Sequence, residues 1–340
     1  MDQEVQRITR QLTELVREKT SDPRATVSAL SALPGHAGVS YSFELTTSAA
    51  GAPKSERLVI RLAPAGVPVA GPTDVVRQAR IMESLAGTAV PVPPIKWYDN
   101  DPRWFGRPFF VAGFVAGDKL ALGEHTYAEA ETRAMVEHAV GALAALHALP
   151  WEPRRAVWGE PSSLADEMKR LDNLLDRPTL DPKVVGRAPL LRERLRQSLP
   201  APATVHLGCV HGDFQWSNCL FERGKLNAVI DWELAQIGAT LIDLGWLCLF
   251  SDPQSWETLD LVPQHVPPPE EIAERYAASA AAKVSAGQVR WFRAFAGYRF
   301  GVITAFNLML HRRGKRLDPT WEDIALSGPR LFERGLELLD

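Results

Sequence analysis

The stretch His211-Gly-Asp-Phe-Gln-Trp-Ser-Asn218, followed by Val229-Ile-Asp-Trp-Glu233, decides how this chain is read. Val205 to Val210, Cys219 to Phe221 and Leu226 to Ile230 are short apolar runs of β character, so the polar residues between them fall on loops. Loops held by apolar strands are where chemistry concentrates. Asp213 and Asn218 stand five positions apart, and Asp231 follows in the next loop. Phosphoryl transfer needs such a set: a carboxylate to orient a hydroxyl, and oxygen ligands for a hard cation. Taken singly, Asp213 and Asp231 are ordinary loop carboxylates and His211 an ordinary core histidine. Their joint spacing favours a catalytic role.

Upstream of this stretch the hydrophobic period changes twice. Val5, Ile8, Leu12, Leu15 and Val16 recur at helical spacing, which predicts an amphipathic helix ending near Ser21-Asp-Pro23. Ala25 to Leu33, Tyr41 to Thr47, Arg57 to Leu62 and Pro108 to Val115 read as strands of an antiparallel sheet, with a helix over 73–86. Ala116-Gly-Asp118 is the first plausible boundary. Beyond it, helices are predicted over 127–148, 162–176, 187–198, 268–283, 286–312 and 320–338. The expected organisation is α+β: a β-rich N-terminal lobe, 1–115, and a larger helical lobe, 116–340.

Composition narrows the classes. The chain has 340 residues, 46% hydrophobic and 23% charged, long enough to hold a core without disulfides. A net charge of -3 offers no field for a phosphate backbone, so nucleic acid is not an expected partner. Cys209, Cys219 and Cys248 lack metal or redox spacing and read as reduced core residues. Without an apolar leader or an apolar run approaching a membrane span, the expected setting is the cytoplasm, with no membrane partner.

The Asp213 to Asn218 interval resembles the kinase catalytic loop. More closely, His-Gly-Asp-x4-Asn followed by Ile230-Asp-Trp-Glu-x4-Gly and Asp243-Leu-Gly resembles the aminoglycoside phosphotransferase family of small-molecule kinases. Val90-Pro-Val-Pro93, Gly106-Arg-Pro-Phe-Phe110, Phe114-Val-Ala-Gly117 and Leu143-Ala-Ala-Leu-His147 continue the likeness over about residues 30 to 250, closest to the branch fused to acyl-CoA dehydrogenases. The resemblance implies a bilobal protein-kinase-like fold that binds ATP, or sometimes GTP, with magnesium. It implies Asp213 as base, Asn218 and Asp231 as magnesium ligands, and Asp243 as a brace behind the catalytic loop. His211 joins Asp213 in the catalytic loop, with Glu233 in support. On the nucleotide side it points to the turn bearing Gly35, Gly38 and Ser40, to Arg61 at the position of the usual phosphate lysine, and to Phe114. A turn of this kind is equally a plain hairpin.

Two departures bear on the phosphate grip. Arg61 keeps the charge of a lysine but not its geometry. Gln78 occupies the helical position where the partner glutamate is expected, while Glu83 falls on the other face. Either Arg61 is held differently or another carboxylate substitutes. Gly238-Ala-Thr240 also replaces the family's Gly-Asp-Pro, without removing a catalytic atom.

The expected acceptor is a hydroxylated, partly apolar small molecule. Residues 251–340 carry 12 acidic against 11 basic side chains and many aromatic rings, whereas a polycationic aminoglycoside needs a carboxylate-lined wall. An alcohol, a hydroxy acid or hydroxyacyl thioester, a macrolide-like compound or a sterol fits that composition better, and Arg312-Arg-Gly-Lys-Arg316 reads as a solvated helix end or an attractor of anions. Two rivals remain. One is a pseudokinase-like module that binds nucleotide without transfer, suggested by Arg61 and Gln78. The other is a hydrolase with His206, His211 and Asp213 on a metal, which lacks any histidine cluster in support.

Overall fold

The computed structural model describes residues 3–33, 39–48, 53–120, 127–257, 262–280 and 283–340, which leaves the turn with Gly35 and Gly38 outside the described residues. The chain divides into two compact units: Met1–Ala116 with Ala228–Leu234, and Gly117–Asn227 with Ala235–Asp340. The second segment of the first unit carries Asp231 and Glu233.

The first unit is built on an antiparallel sheet. Its order is Thr26–Val27, Val39–Thr47, Lys54–Leu62, Phe109–Gly113 and Ile95–Asp99, with Ser31–Leu33 also paired to Val39–Thr47. The run from Ala25 to Leu33 therefore forms two short strands rather than one. Ser28 is the reason: its Oγ accepts the Glu44 N–H at 2.9 Å and takes over a ladder position. Helix Gln3–Thr20 buries Ile8, Leu12, Leu15 and Val16 against Phe43, Leu45, Leu58, Ile60 and Leu62 of the sheet. Each such side chain contributes about 1.5–3 kcal/mol by leaving water. Because strand side chains alternate, Leu58, Ile60 and Leu62 fill this core while Arg61 points to the opposite face. Helix Val75–Leu85 starts at Asp74, whose side chain caps the Arg77 N–H at 2.9 Å, and packs on the turn Trp232–Leu234.

The second unit is mostly helical. Glu129–His147, Leu164–Leu175, Ala188–Gln197, Pro269–Ser279 and Ala286–Arg312 lie where the helical period predicts them. The segment 320–338 divides into Thr320–Leu326 and Gly328–Leu339, because Pro329 has no N–H to continue the first helix and Gly328 sits against Val184. Helix Leu241–Leu249 was not foreseen. All nine of its residues are buried, so it has no polar face to produce a period. Gly245 lets it approach helix Ala286–Arg312 closely: a Cβ there would lie 2.4 Å from the Phe292 carbonyl oxygen.

Strand Leu207–Val210 pairs antiparallel with Gln236–Ala239, Val210 opposite Gln236, and delivers the chain to His211. The three cysteines are buried and unpaired, as expected, and burial pushes the Cys209 thiol up to about 11 and that of Cys248 up to about 12. Among the described residues no helix is long and apolar enough to cross a membrane.

Candidate active site

The loop after Leu207–Val210 is pinned from behind. Asp243, wholly buried in the first turn of helix Leu241–Leu249, accepts the backbone N–H of His211 at 2.7 Å and of Gly212 at 2.8 Å. Its Oδ2 also lies 3.3 Å from His147 Nε2, and His147 Nδ1 is 2.7 Å from the Tyr276 hydroxyl. Gly212 has φ +84, a left-handed conformation that glycine adopts without steric cost and that turns the chain toward Asp213. His211 is fully buried and its Nδ1 accepts the Asp213 N–H at 3.2 Å. That geometry makes His211 a shaper of the loop.

Asp213 is half-buried, and its carboxylate is held by neutral donors. Oδ1 accepts from Gln215 Nε2 at 2.9 Å and from the indole Nε1 of Trp246 at 2.7 Å. Asn218 Nδ2 donates at 2.9 Å to both Oδ2 and the backbone carbonyl of Asp213. The Asn218 amide nitrogen is thus turned to Asp213, and Oδ1 is the atom it can offer a cation. Trp246 is in turn covered by Arg299, whose guanidinium lies 4.5 Å from the ring centroid and donates to the Gly212 carbonyl at 2.7 Å. Burial pulls the Arg299 pKa down from its ordinary value, while Glu167, Asp213 and Asp243 push it back up.

In the first unit, Asp231, Glu233 and Arg61 come together. Arg61 donates through one terminal nitrogen to Asp231 Oδ1 at 3.1 Å and through the other to Glu233 Oε2 at 2.9 Å. Asp231 has φ +66, a left-handed backbone uncommon outside glycine, and such conformations cluster at functional sites. Buried Trp232 anchors the turn through a 2.9 Å bond from Nε1 to the Val229 carbonyl. The substitute carboxylate for Arg61 is therefore found on this turn. Gln78 is buried and donates to the Pro72 carbonyl at 2.9 Å, and Glu83 accepts from Tyr98 at 3.0 Å. Ser40 stands opposite Arg61 in the strand register, and Phe114 lies under the Arg57 guanidinium at 3.7 Å.

Three residues around Asp213 escaped sequence reasoning. Gln215 sits inside the motif, and Trp246 follows Asp243-Leu-Gly closely enough to have been considered. Arg299 lies in an aromatic stretch whose period reads as core and gave no signal. Most of those rings are indeed core, including Trp291, Phe292, Phe295 and Tyr298. The basic run is a helix end: Arg312 pairs with Asp181 at 2.8 Å and Glu322 at 2.7 Å.

Residues 35–290 match the model of a family described as "phosphotransferase enzyme family". Acyl-CoA dehydrogenase family member 10 of Mus musculus is 28% identical over 203 residues, which are 57% of this chain and 18% of that protein. The probable acyl-CoA dehydrogenase IBR3 of Arabidopsis thaliana is 26% identical over 208 residues, 57% of this chain and 25% of that protein. The chain thus spans a quarter or less of these relatives' length. A protein of Ralstonia eutropha JMP134, solved as a candidate aminoglycoside phosphotransferase, superposes with a TM-score of 0.76 at 21% identity, covering 97% of this chain and 98% of that one. The aminoglycoside phosphotransferase APH(4)-Ia, in a complex with ADP and hygromycin B, superposes with a TM-score of 0.63 at 18% identity, covering 96% and 98%. At these identities the likeness is one of fold, and the fold is the protein-kinase-like one.

Proposed function

The chain belongs to the phosphotransferase enzyme family, and from that premise we propose that it moves the γ-phosphate of ATP or GTP, with magnesium, to a hydroxyl of a small, partly apolar molecule. The observation that carries this reading is the carboxylate of Asp213, fixed on both oxygens by Gln215, Trp246 and Asn218 on a loop that Asp243 anchors. A base acting on an incoming hydroxyl must keep its orientation without being neutralised, and hydrogen bonds from N–H groups do this. Asp213 would orient the acceptor hydroxyl and receive its proton. Residues 1–115 are read as the nucleotide-binding lobe and 116–340 as the catalytic and acceptor-binding lobe, in a cytoplasmic protein.

The donor set suits a hard cation. Among the described residues no group of three or more His, Cys, Asp or Glu side chains could hold a metal ion. Magnesium does not need one, since it commonly keeps waters and phosphate oxygens and takes one or two protein carboxylates. Asp231 and the side-chain oxygen of Asn218 are the ligands that the family resemblance implies for it. When bound, the ion neutralises charge on the phosphates. Arg61 would turn to the phosphates, with Glu233 retaining it, and Ser40 and Phe114 would border the nucleotide. Gln78 would act from inside by fixing the Pro72 backbone.

The hygromycin B bound by APH(4)-Ia is a poor guide to the acceptor here, because the near balance of acidic and basic side chains over 251–340 offers little to a polycation. A second reading, a nucleotide-binding module without transfer, draws support from the hold of Arg61 on Asp231. Thermal-shift titration with ATP and GTP, each with and without magnesium, tests both, because a ligand of the native state raises its melting temperature. A magnesium-dependent rise, with slow nucleotide hydrolysis that Asp213→Ala abolishes, is the expected result. A rise without hydrolysis in any variant selects the binding module, and no rise at millimolar nucleotide removes both.

A further inference from the structure

Asp213 is gripped by a side chain that the kinase-like motif does not contain. The Trp246 indole N–H donates to Oδ1 at 2.7 Å, and a buried indole N–H requires such a partner. Gln215 donates to the same oxygen. With Gln215 and Trp246 on Oδ1 and Asn218 on Oδ2, N–H donors on both oxygens fix the carboxylate plane.

The indole is itself fixed. Trp246 meets Phe250 and Phe300 edge-on at 5.7 and 5.6 Å, and Arg299 lies over its face. Arg299 also holds the Gly212 carbonyl, so one guanidinium touches both the loop that carries Asp213 and the ring that orients it. The arrangement is costly. Arg299 NH1 finds no hydrogen-bond partner among the described residues, and a buried charged group with an unmet donor is destabilising. A core that needed only packing would place an apolar side chain there. A cation over the ring face also makes the indole N–H a stronger donor, because the ring's electrons are drawn toward the charge.

We propose that Trp246 and Arg299 are positioning residues for the transfer: Trp246 sets the orientation of the Asp213 carboxylate, and Arg299 holds Trp246 and Gly212 in register. The inference rests on the phosphotransferase reading, with Asp213 as base. Both residues act on the Asp213 loop, through the Asp213 carboxylate and the Gly212 carbonyl, so the loss in their variants is expected in turnover.

The test uses magnesium-dependent hydrolysis of ATP or GTP to phosphate as the probe. Trp246→Phe keeps the ring and removes the N–H. It is expected to lower kcat about 10- to 100-fold, the equivalent of one hydrogen bond to a charged group, with KM for the nucleotide changed less than about twofold. Arg299→Met should lose a comparable factor, and Arg299→Lys should recover part of it by restoring the charge without the fork. Unchanged kcat in Trp246→Phe, or a loss confined to thermal stability, overturns the proposal.

A spectroscopic readout covers the case in which these variants fold poorly. In the 15N-labelled protein, the Trp246 indole cross-peak, identified by its absence in Trp246→Phe, should move more in Asp213→Asn than any of the other nine indoles. An unmoved cross-peak overturns the proposal whatever the kinetics. If the wild type neither binds nor hydrolyses nucleotide while this cross-peak responds, the phosphotransferase reading has failed and the geometry has not.

Discussion

Asp231 and Asp213 are both half-buried loop carboxylates at the ends of short strands, yet they are held in opposite ways. Asp231 sits on a left-handed backbone and shares Arg61 with Glu233, so its partner is a full positive charge. Asp213 is approached by the N–H groups of Gln215, Asn218 and Trp246, which orient it without cancelling its charge. The contrast matches the two proposed tasks. A carboxylate that awaits a cation can be occupied by one until it arrives, whereas a carboxylate that is to orient a hydroxyl has to keep its direction. Arg61 screens the acidic pair of Asp231 and Glu233.

The sharpest way to break the contrast is to remove the charge of Asp213 without changing its shape. Asp213→Asn is expected to reduce magnesium-dependent turnover of ATP or GTP by roughly 10²- to 10⁴-fold, the usual contribution of a positioned base. Turnover within tenfold of wild type would take the base away from Asp213. Asp243→Ala attacks the same loop through its support. Stranding the buried N–H groups of His211 and Gly212 should cost about 2–5 kcal/mol, read as a shifted midpoint in urea unfolding. Gly245→Ala drives a methyl against the Phe292 backbone and should cost about 1–3 kcal/mol by the same assay, while Gly141→Ala, where a Cβ meets nothing within 4 Å, should cost nothing.

The smallest effect is expected on the other side of the comparison. Glu233→Gln leaves Arg61 with Asp231 as its charged partner, so the pair should tighten and nucleotide affinity should fall by about two- to fivefold, with the effect shrinking in high salt as partly exposed charges are screened. A loss of several orders of magnitude, measured by calorimetry, would make Glu233 a direct ligand.

The two halves of this comparison were unequally legible in the sequence. Asp213 and Asn218 are close in the chain, so their spacing carries the geometry of one loop directly. Arg61 and Asp231 are 170 residues apart, and no local period links a strand to so distant a turn. The helix over 73–86 directed attention to Gln78, which proves to be a buried support for the Pro72 carbonyl. Helix Leu241–Leu249 was invisible because periodicity needs a polar face, and its burial removes one. Trp246 and Arg299 were hidden by the same physics: an aromatic or a lone arginine among apolar residues reads as core, and only coordinates tell where its N–H groups go.

The division of labour between the two carboxylates is tested most directly by calorimetric titration of Asp213→Asn and Asp231→Asn with magnesium and nucleotide, side by side with the wild type. Asp213→Asn should bind as the wild type does, and Asp231→Asn should bind about 10- to 100-fold more weakly, the scale on which altered metal sites lose affinity. Equal affinity in the two variants, whether both retained or both lost, would contradict the account.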